Sequence, residues 1–266
     1  MKKWIYCAAA ALLSVMLFAC AAPVEPVQTT PSEVDSIETT KPLETPVADT
    51  SEVIVFNDDV LEGLIRDALK KPTGDITVAD AQGATELDFQ MQGVDPDQPY
   101  IHSLDALKYF TNLTYLGLGY AVLNADDPAA PIDISPLAGM TKLESLQLGG
   151  LVIDDLSIVA NMPNLKSLTV FGGEKLSDVT PLAKLTNLQA LTLRSNLISD
   201  ISPLSGLTNL IYLDLQANQI TDVSALTGMT QLHRLFLSNN PITDYSPLRQ
   251  IRANLEEWDF DVPAEP

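Results

Sequence analysis

The sequence predicts an α/β solenoid, a fold in which one short structural unit is stacked repeatedly along the chain. Residues 185–206 (LTNLQALTLRSNLISDISPLSG) and 207–228 (LTNLIYLDLQANQITDVSALTG) share nearly every apolar position. Units of the form L..L.L recur at spacings of 30, 22, 23, 22, 22 and 23 residues. Their first leucines are Leu113, Leu143, Leu165, Leu188, Leu210, Leu232 and Leu255. A degenerate unit begins near Ala84, so about eight repeats are predicted over residues 84–260.

This period and leucine pattern are typical of leucine-rich repeats. Each unit of such a right-handed superhelix supplies one short strand to a parallel, concave β-sheet, and a short helical turn lies on the convex side. One repeat cannot bury its own leucines, so each depends on its neighbours for a core. In residues 185–206 the predicted core residues are Leu188, Leu191, Leu193, Ile198, Ile201, Leu204 and Leu207.

The bend after each strand carries an asparagine in the last repeats. Asn196, Asn218 and Asn240 are predicted to bond backbone groups that the buried turn would otherwise leave unpaired. The earlier repeats have Ala121, Leu151 and Gly173 at this position. The sequence therefore predicts an asparagine ladder that is strong only in the C-terminal half.

Ser-Pro and Thr-Pro pairs predict where the short helical turns begin. In Ser202-Pro203 the serine is interpreted as a helix N-cap and the proline as the first helical residue. The same pattern recurs at Ser135-Pro136, Thr180-Pro181 and Ser246-Pro247. Asp200, Asp222 and Asp244 recur just before these turns, and capping is a better interpretation for them than calcium binding.

The repeats resemble those of bacterial internalin-like proteins, and the segment before them resembles the helical N-terminal cap of that family. In residues 53–83 a helix is predicted to begin at Asp58 or Asp59 and to stop before Pro72. Its apolar stripe would be Leu61, Leu64, Ile65, Ala68 and Leu69. The resemblance implies a cap on the open end of the core and a binding role. At the other end, Trp258 and Phe260 are predicted to close the last repeat, and residues 261–266 are predicted to form a tail.

The first residues predict export and a lipid anchor. Residues 1–19 contain Lys2 and Lys3 followed by a mostly apolar run, which is typical of a signal peptide. The run ends at Cys20 in LFAC, which resembles a bacterial lipobox, so Cys20 is the predicted lipidation site. An ordinary cleavage near Ala22 would instead release a secreted protein. Residues 20–52, rich in Pro, Thr, Ser and Glu, are predicted to be a disordered tether between the anchor and the repeats.

Several function classes are excluded on composition and motifs. The net charge of −20 disfavours nucleic acid as a partner. The two histidines, His102 and His233, lie six repeats apart, roughly 29 Å at about 4.8 Å per strand, and no glycine-rich phosphate loop or metal-ligand spacing is present. We therefore expect no enzyme activity, no cofactor and no metal, and a monomer that contacts the membrane only through its lipid.

The remaining candidate is a surface, because strand residues between the inward leucines face the concave side. Aromatic and arginine side chains carry much of the binding energy at protein interfaces. The predicted binding residues are Tyr115, Tyr120, Phe171, Arg194, Tyr212, Arg234 and Phe236. A protein partner is the first hypothesis. Carbohydrate or peptidoglycan binding, and a purely structural role in the envelope, remain open.

Two insertions in adjacent repeats are predicted to lie side by side. They are residues 93–100 and 120–131. Asp95, Asp97, Asp126 and Asp127 would make this lip acidic, which suits either a basic partner or a solvated loop.

Overall fold

A computed structural model describes residues 50–90, 99–123 and 127–261, which all belong to one compact unit. Two helices come first, α1 (Asp59–Ala68) and α2 (Val78–Gly83). Eight strands follow, paired in parallel and in sequence order in a single sheet. They are β1 (Glu86–Asp88), β2 (Tyr115–Gly117), β3 (Ser145–Gln147), β4 (Ser167–Thr169), β5 (Ala190–Thr192), β6 (Tyr212–Asp214), β7 (Arg234–Phe236) and β8 (Glu257–Trp258). The predicted α/β solenoid is confirmed.

The core is a stack of leucines held in register by the sheet. The middle residue of each strand faces inward, and these residues pair directly with one another from Leu87 to Leu235. All seven core residues predicted for residues 185–206 are buried. Each repeat therefore covers the leucines of the one before it, as the repeat pattern predicts.

The prediction that Ser202 is a helix N-cap is wrong, as it is for the other Ser-Pro and Thr-Pro pairs. Ser202 is the first residue of a 3-10 turn, Ser202–Gly206, and the capping position belongs to Ile201, which the core buries. The hydrogen bond comes from two residues earlier: Asp200 Oδ1 accepts from the Ser202 amide at 2.8 Å. An aspartate can reach the amide two residues ahead of it, which leaves the capping position free for an apolar residue.

The predicted capping role of Asp200, Asp222 and Asp244 is confirmed. Asp222 and Asp244 accept from the amides of Ser224 and Ser246, each at 2.8 Å. The same bond is present in three further repeats, from the residues Asp133, Asp155 and Asp178.

The predicted asparagine ladder is also confirmed. Asn218 Nδ2 donates to the carbonyls of Leu193 at 2.9 Å and Leu215 at 3.0 Å, and its Oδ1 accepts from the Ile198 amide at 3.0 Å. Asn240 repeats this pattern. Asn196 makes the donor bonds, but its buried Oδ1 has no donor. The ladder thus ends where Gly173 replaces asparagine in the preceding repeat.

The helical cap begins at Asp58, whose Oδ1 accepts from the Leu61 amide at 2.8 Å. Its Oδ2 accepts from the His102 amide at 2.6 Å, which ties the cap to the first repeats. Leu61 and Ile65 are buried, and Leu64 and Leu69 pack against the core. Ala68, placed in the stripe by the sequence, is exposed, because the last turn of α1 presents only Leu69 to the core.

Helix α2 is a second part of the cap that the sequence analysis did not resolve. Thr77 and Asp80 form a capping box: the Asp80 amide donates to Thr77 Oγ1, and the Thr77 amide donates to Asp80 Oδ2 at 2.7 Å. Lys71 Nζ lies 2.6 Å from the same oxygen.

The last repeat is closed mainly by Phe260, which is buried and stacks on Tyr245 with ring centroids 5.1 Å apart. Trp258 was expected to close it as well, but 36% of its surface is exposed. It lies beside Leu235 on β8, the last strand of the described sheet, and the Arg252 guanidinium lies 3.5 Å from its ring centroid.

Candidate functional site

The candidate site is the outward surface of the sheet, which we call the sheet face. It comprises the first and third residue of each strand and the residues that follow the strand. In four of the eight strands, β3, β4, β5 and β7, the middle residue is buried and its two neighbours are half-exposed. All seven predicted binding residues lie on this face or directly after it. The structure brings them together as two clusters and one separate tyrosine.

The first group, the Phe171 cluster, consists of Tyr120, Phe171 and Arg194. The Tyr120 and Phe171 rings meet edge to face, with centroids 6.0 Å apart and an interplanar angle of 69°. The Arg194 guanidinium lies over the Phe171 ring, 5.5 Å from its centroid. Such a cation–π contact holds the arginine on the face without a carboxylate partner.

Two glycines make room for the Phe171 cluster, and the sequence analysis did not single them out. A Cβ on Gly149 would overlap the Phe171 ring, and a Cβ on Gly150 would overlap the Tyr120 ring. Gly150 also has a φ of +75°, which L side chains rarely adopt. The signal was the Gly-Gly pair shortly after strand β3: the four following repeats carry Phe171, Arg194, Gln216 and Ser238 at the position of Gly149.

The second group, the Tyr212 cluster, consists of Tyr212, Phe236, Arg234 and Asp214. The Tyr212 and Phe236 rings are tilted by 51° with centroids 5.8 Å apart. Arg234 Nη2 lies 3.2 Å from Glu257 Oε1 on the neighbouring strand. The two half-exposed rings therefore lie side by side near the end of the sheet.

Asp214 is the residue of this cluster that the sequence analysis left out of the site. It occupies an outward position on β6, yet only 6% of its surface is exposed. Its Oδ1 accepts from the Gln216 amide at 3.0 Å. Burial raises the pKa of Asp214 above its usual value. Burial likewise raises the pKa of Tyr212, and the Asp214 charge adds to that rise. The signal was an aspartate where the two preceding repeats have threonine.

Tyr115 lies apart from both clusters, on β2. Its hydroxyl accepts from Gln90 Nε2 at 2.6 Å, and burial raises its pKa. It lies four inter-strand spacings from Tyr212, roughly 19 Å at about 4.8 Å per spacing. The first residues of the three strands between them are Ser145, Ser167 and Ala190. Between the two tyrosines, the first residue of each strand therefore has a small side chain.

The residue that follows the first insertion lies next to the start of the second. Ile101 and Val122 form a parallel bridge, in which the Ile101 amide donates to the Ala121 carbonyl at 2.9 Å. Residues 93–98 and 124–126 lie outside the described residues, and so do Asp95, Asp97 and Asp126. The same holds for residues 1–49, which include Cys20 and most of the tether, and for residues 262–266 of the tail.

Catalytic groups do not converge in the described part of the chain. His102 Nδ1 lies 2.9 Å from the Leu123 carbonyl, and His233 Nδ1 lies 2.8 Å from the Gln231 carbonyl. Within residues 50–90, 99–123 and 127–261, no group of three His, Cys, Asp or Glu side chains could hold a metal ion. Both helices in these ranges are too short to span a membrane.

Comparison with known proteins supports the repeat assignment. Residues 186–228 and 208–250 match the family described as leucine-rich repeats in two copies. The repeats are leucine-rich repeats. No curated protein sequence matches the chain.

The solved structure of internalin C2 supports the fold. Internalin C2 from Listeria monocytogenes is 26% identical with a TM-score of 0.58, and the match covers 79% of this chain and 97% of internalin C2. A second Listeria internalin, InlF, is 22% identical with a TM-score of 0.27, covering 82% of this chain and 100% of that one. A leucine-rich repeat protein from Leptospira interrogans is 18% identical with a TM-score of 0.49, covering 69% and 50%. This chain is thus internalin-like in its repeats, a fold typical of non-enzymatic binding modules.

Proposed function

We propose that this protein is a lipid-anchored module on the outside of the cell that binds a protein partner through its sheet face. The observation that supports this most directly is the pair of aromatic clusters on one open sheet. Tyr120 meets Phe171 edge to face, Tyr212 packs at a tilt against Phe236, and each pair has an arginine beside it. Aromatic and arginine side chains on a shared surface are the common anchors of protein interfaces.

Rigidity strengthens the proposal. Each strand is hydrogen-bonded to its neighbours, and Gly149 and Gly150 leave no room for the Phe171 and Tyr120 rings to settle deeper. A partner that docks on such a surface pays little for ordering it, so the contact energy is retained as affinity. The small side chains of Ser145, Ser167 and Ala190 leave space for a segment of the partner between Tyr115 and Tyr212.

The anchor and the tether complete the proposed arrangement. Cys20 would carry the lipid, and the 32 residues from 21 to 52 would let the repeats reach about 30 Å from the membrane. The variant Cys20→Ser should move the protein from the membrane fraction to the soluble fraction of its native host. Equal membrane retention of the parent and the variant would contradict the lipid anchor and leave the sheet-face proposal untouched.

The binding proposal is tested by capture on the immobilised purified protein, from envelope extract and from host-cell extract. The test variant is Tyr212→Ala/Arg234→Ala/Phe236→Ala. The matched control is Lys184→Ala/Leu197→Ala, which removes a cation and an exposed apolar side chain outside the sheet face. A protein retained by the parent and the control but lost by the test variant supports the proposal. Equal retention by all three proteins, or binding of glycans alone, would overturn it.

A further inference from the structure

We propose that Asp214, together with the Tyr212 and Phe236 rings, forms a subsite for a cationic side chain, a lysine or an arginine, of a protein that docks on the sheet face. This inference rests on the proposed function, because the cation belongs to that partner. It assigns the partner a chemistry: a basic segment rather than an acidic or an apolar one.

The first argument is the state of Asp214. Only 6% of the Asp214 residue surface is exposed, and Oδ1 has one hydrogen-bond donor, the Gln216 amide at 3.0 Å. Within the described residues no donor reaches Oδ2, which is not fully buried. A carboxylate that water solvates poorly but that a cation can still approach is a favourable acceptor for that cation.

The second argument is that the cations nearby are already engaged. Arg234 Nη2 forms an ion pair with Glu257 Oε1 at 3.2 Å. The Arg194 guanidinium lies over the Phe171 ring, 5.5 Å from its centroid. The Arg194 charge acts on Asp214 from a distance, but in the described part of the chain no direct ion pair includes Asp214, so its carboxylate can still contact an incoming cation.

The third argument is the aromatic pair that borders the carboxylate. Tyr212 precedes Asp214 by two residues on the same face of β6, and Phe236 is its register partner on β7. With centroids 5.8 Å apart and a tilt of 51°, the two rings are in contact and are inclined to each other. Aromatic faces attract ammonium and guanidinium groups, most strongly where water is partly excluded.

The charge of the whole protein favours the same partner. The net charge is −20, and the sheet face adds Glu86, Asp88 and Glu257 to Asp214. Such a field attracts a basic segment from a distance and repels an acidic one. The subsite would then fix one cation of that segment in place.

The inference is tested by two-dimensional ¹H–¹⁵N NMR on the purified protein with the peptide acetyl-Gly-Lys-Gly-amide. The Gln216 amide, which donates to Asp214, is the reporter. We expect shifts centred on Gln216, Tyr212 and Phe236. The same peptide with an acetylated lysine side chain should cause none. The variant Asp214→Asn should weaken binding roughly tenfold, since it replaces a charged acceptor by a neutral one.

The matched control is Asp154→Asn, which removes the same charge from an exposed position outside the sheet face. It should bind the peptide as the parent does. Equal affinities for the parent and Asp214→Asn, no shift in the parent, or the same loss in both variants would overturn the inference. An unchanged thermal midpoint and a preserved Gln216 signal would show that Asp214→Asn is folded.

The two proposals fail in different ways. If the triple-alanine variant loses its protein partner but Asp214→Asn keeps it with full affinity, the sheet face binds a partner and the cation subsite is wrong. If the lysine peptide binds at Asp214 while the triple-alanine variant still captures the partner, the subsite exists and the proposed binding face is wrong.

Discussion

The first and the last repeats pair the same buried turn carbonyl with different donors. In the C-terminal repeats, the Leu215 carbonyl in the turn accepts from the side chain of Asn218 at 3.0 Å. In the N-terminal repeats, the corresponding carbonyls of Leu118 and Leu148 accept from the backbone amides of Ala121 at 3.0 Å and Leu151 at 3.4 Å. Asparagine is therefore one of two ways to pair the turn carbonyl, and it is not needed to make the bend.

The backbone of the bend supports this conclusion. The residue before the turn position is left-handed in both regions, with φ +56° at Ser195 and +52° at Ala217, against +57° at Tyr120 and +75° at Gly150. The N-terminal repeats keep the turn but drop the ladder. They are also the repeats that carry the two insertions, and the aromatic Tyr120 takes its place at one of these bends. The missing asparagines, the two insertions and the aromatic residue at a bend thus occur in the same repeats.

The largest expected effect is loss of a central ladder residue. Asn218→Ala leaves two carbonyls and the Ile198 amide without the partners that Asn218 provides. We expect the free energy of unfolding to fall by roughly 3 kcal/mol, measured by urea denaturation. The control is Asn209→Ala, which removes one exposed hydrogen bond to Thr186 and should cost about 0.5 kcal/mol. Equal losses in the two variants would show that the ladder contributes little.

The next effect comes from the repeat that interrupts the ladder. A Cβ on Gly173 would meet the Leu151 carbonyl oxygen, and would lie 3.0 Å from Val152 Cα. Gly173→Ala should therefore destabilise the protein by about 2.5 kcal/mol through overpacking against backbone. Gly228→Ala is the control, because its Cβ would meet nothing within 4 Å. If both variants unfold at the same urea concentration, the close approach at Gly173 is relieved at little cost.

A smaller effect is expected at the boundary between the two regions. Asn196 makes the donor bonds of the ladder, but its Oδ1 has no partner. Asn196→Ala should cost roughly 2 kcal/mol, about 1 kcal/mol less than Asn218→Ala, since one fewer bond is lost and an unpaired buried oxygen is removed. The same urea measurement decides this. A loss of unfolding free energy as large as that of Asn218→Ala would mean that the place of an asparagine in the ladder does not affect its contribution to stability.

The sequence predicts the regular region almost completely, because a 22-residue period specifies strand, turn and core at once. The inward leucines, the Asn ladder and the aspartate caps all follow from it. The errors occur where a local rule competes with the repeat. Ser202 has the residue type of a helix cap, but the core requires Ile201 at that position. Trp258 has the residue type of a core residue, but 36% of its surface is exposed and it contacts the Arg252 guanidinium.

The candidate site is less predictable, since side-chain contacts across repeats are not encoded in the period. The strand pattern places Tyr212 and Phe236 on the same face. It does not show that the Arg194 guanidinium lies over the Phe171 ring, or that Asp214 is buried. These outcomes depend on side-chain size and direction in neighbouring repeats.

The smallest effect concerns the helical cap that closes the N-terminal repeats. Bonds from Lys71 and Thr77 lower the pKa of Asp80 from 3.8 to about 2. A carboxyl group with a lowered pKa in the folded state stabilises the fold above its unfolded pKa, and that contribution is lost as the pH falls towards the folded value. We expect Asp80→Asn to cost about 1 kcal/mol at neutral pH, because the group is partly exposed.

The difference between the parent and Asp80→Asn should shrink between about pH 4 and pH 2, which urea denaturation at several pH values would show. The exposed neighbour Asp75 offers the control Asp75→Asn, which keeps the capping box intact. A constant difference across this range would mean that Asp80 stabilises α2 through its hydrogen-bond geometry alone. The cap would then resemble the uncharged asparagine ladder more than an ion pair, and the two ends of the solenoid would be stabilised by the same kind of interaction.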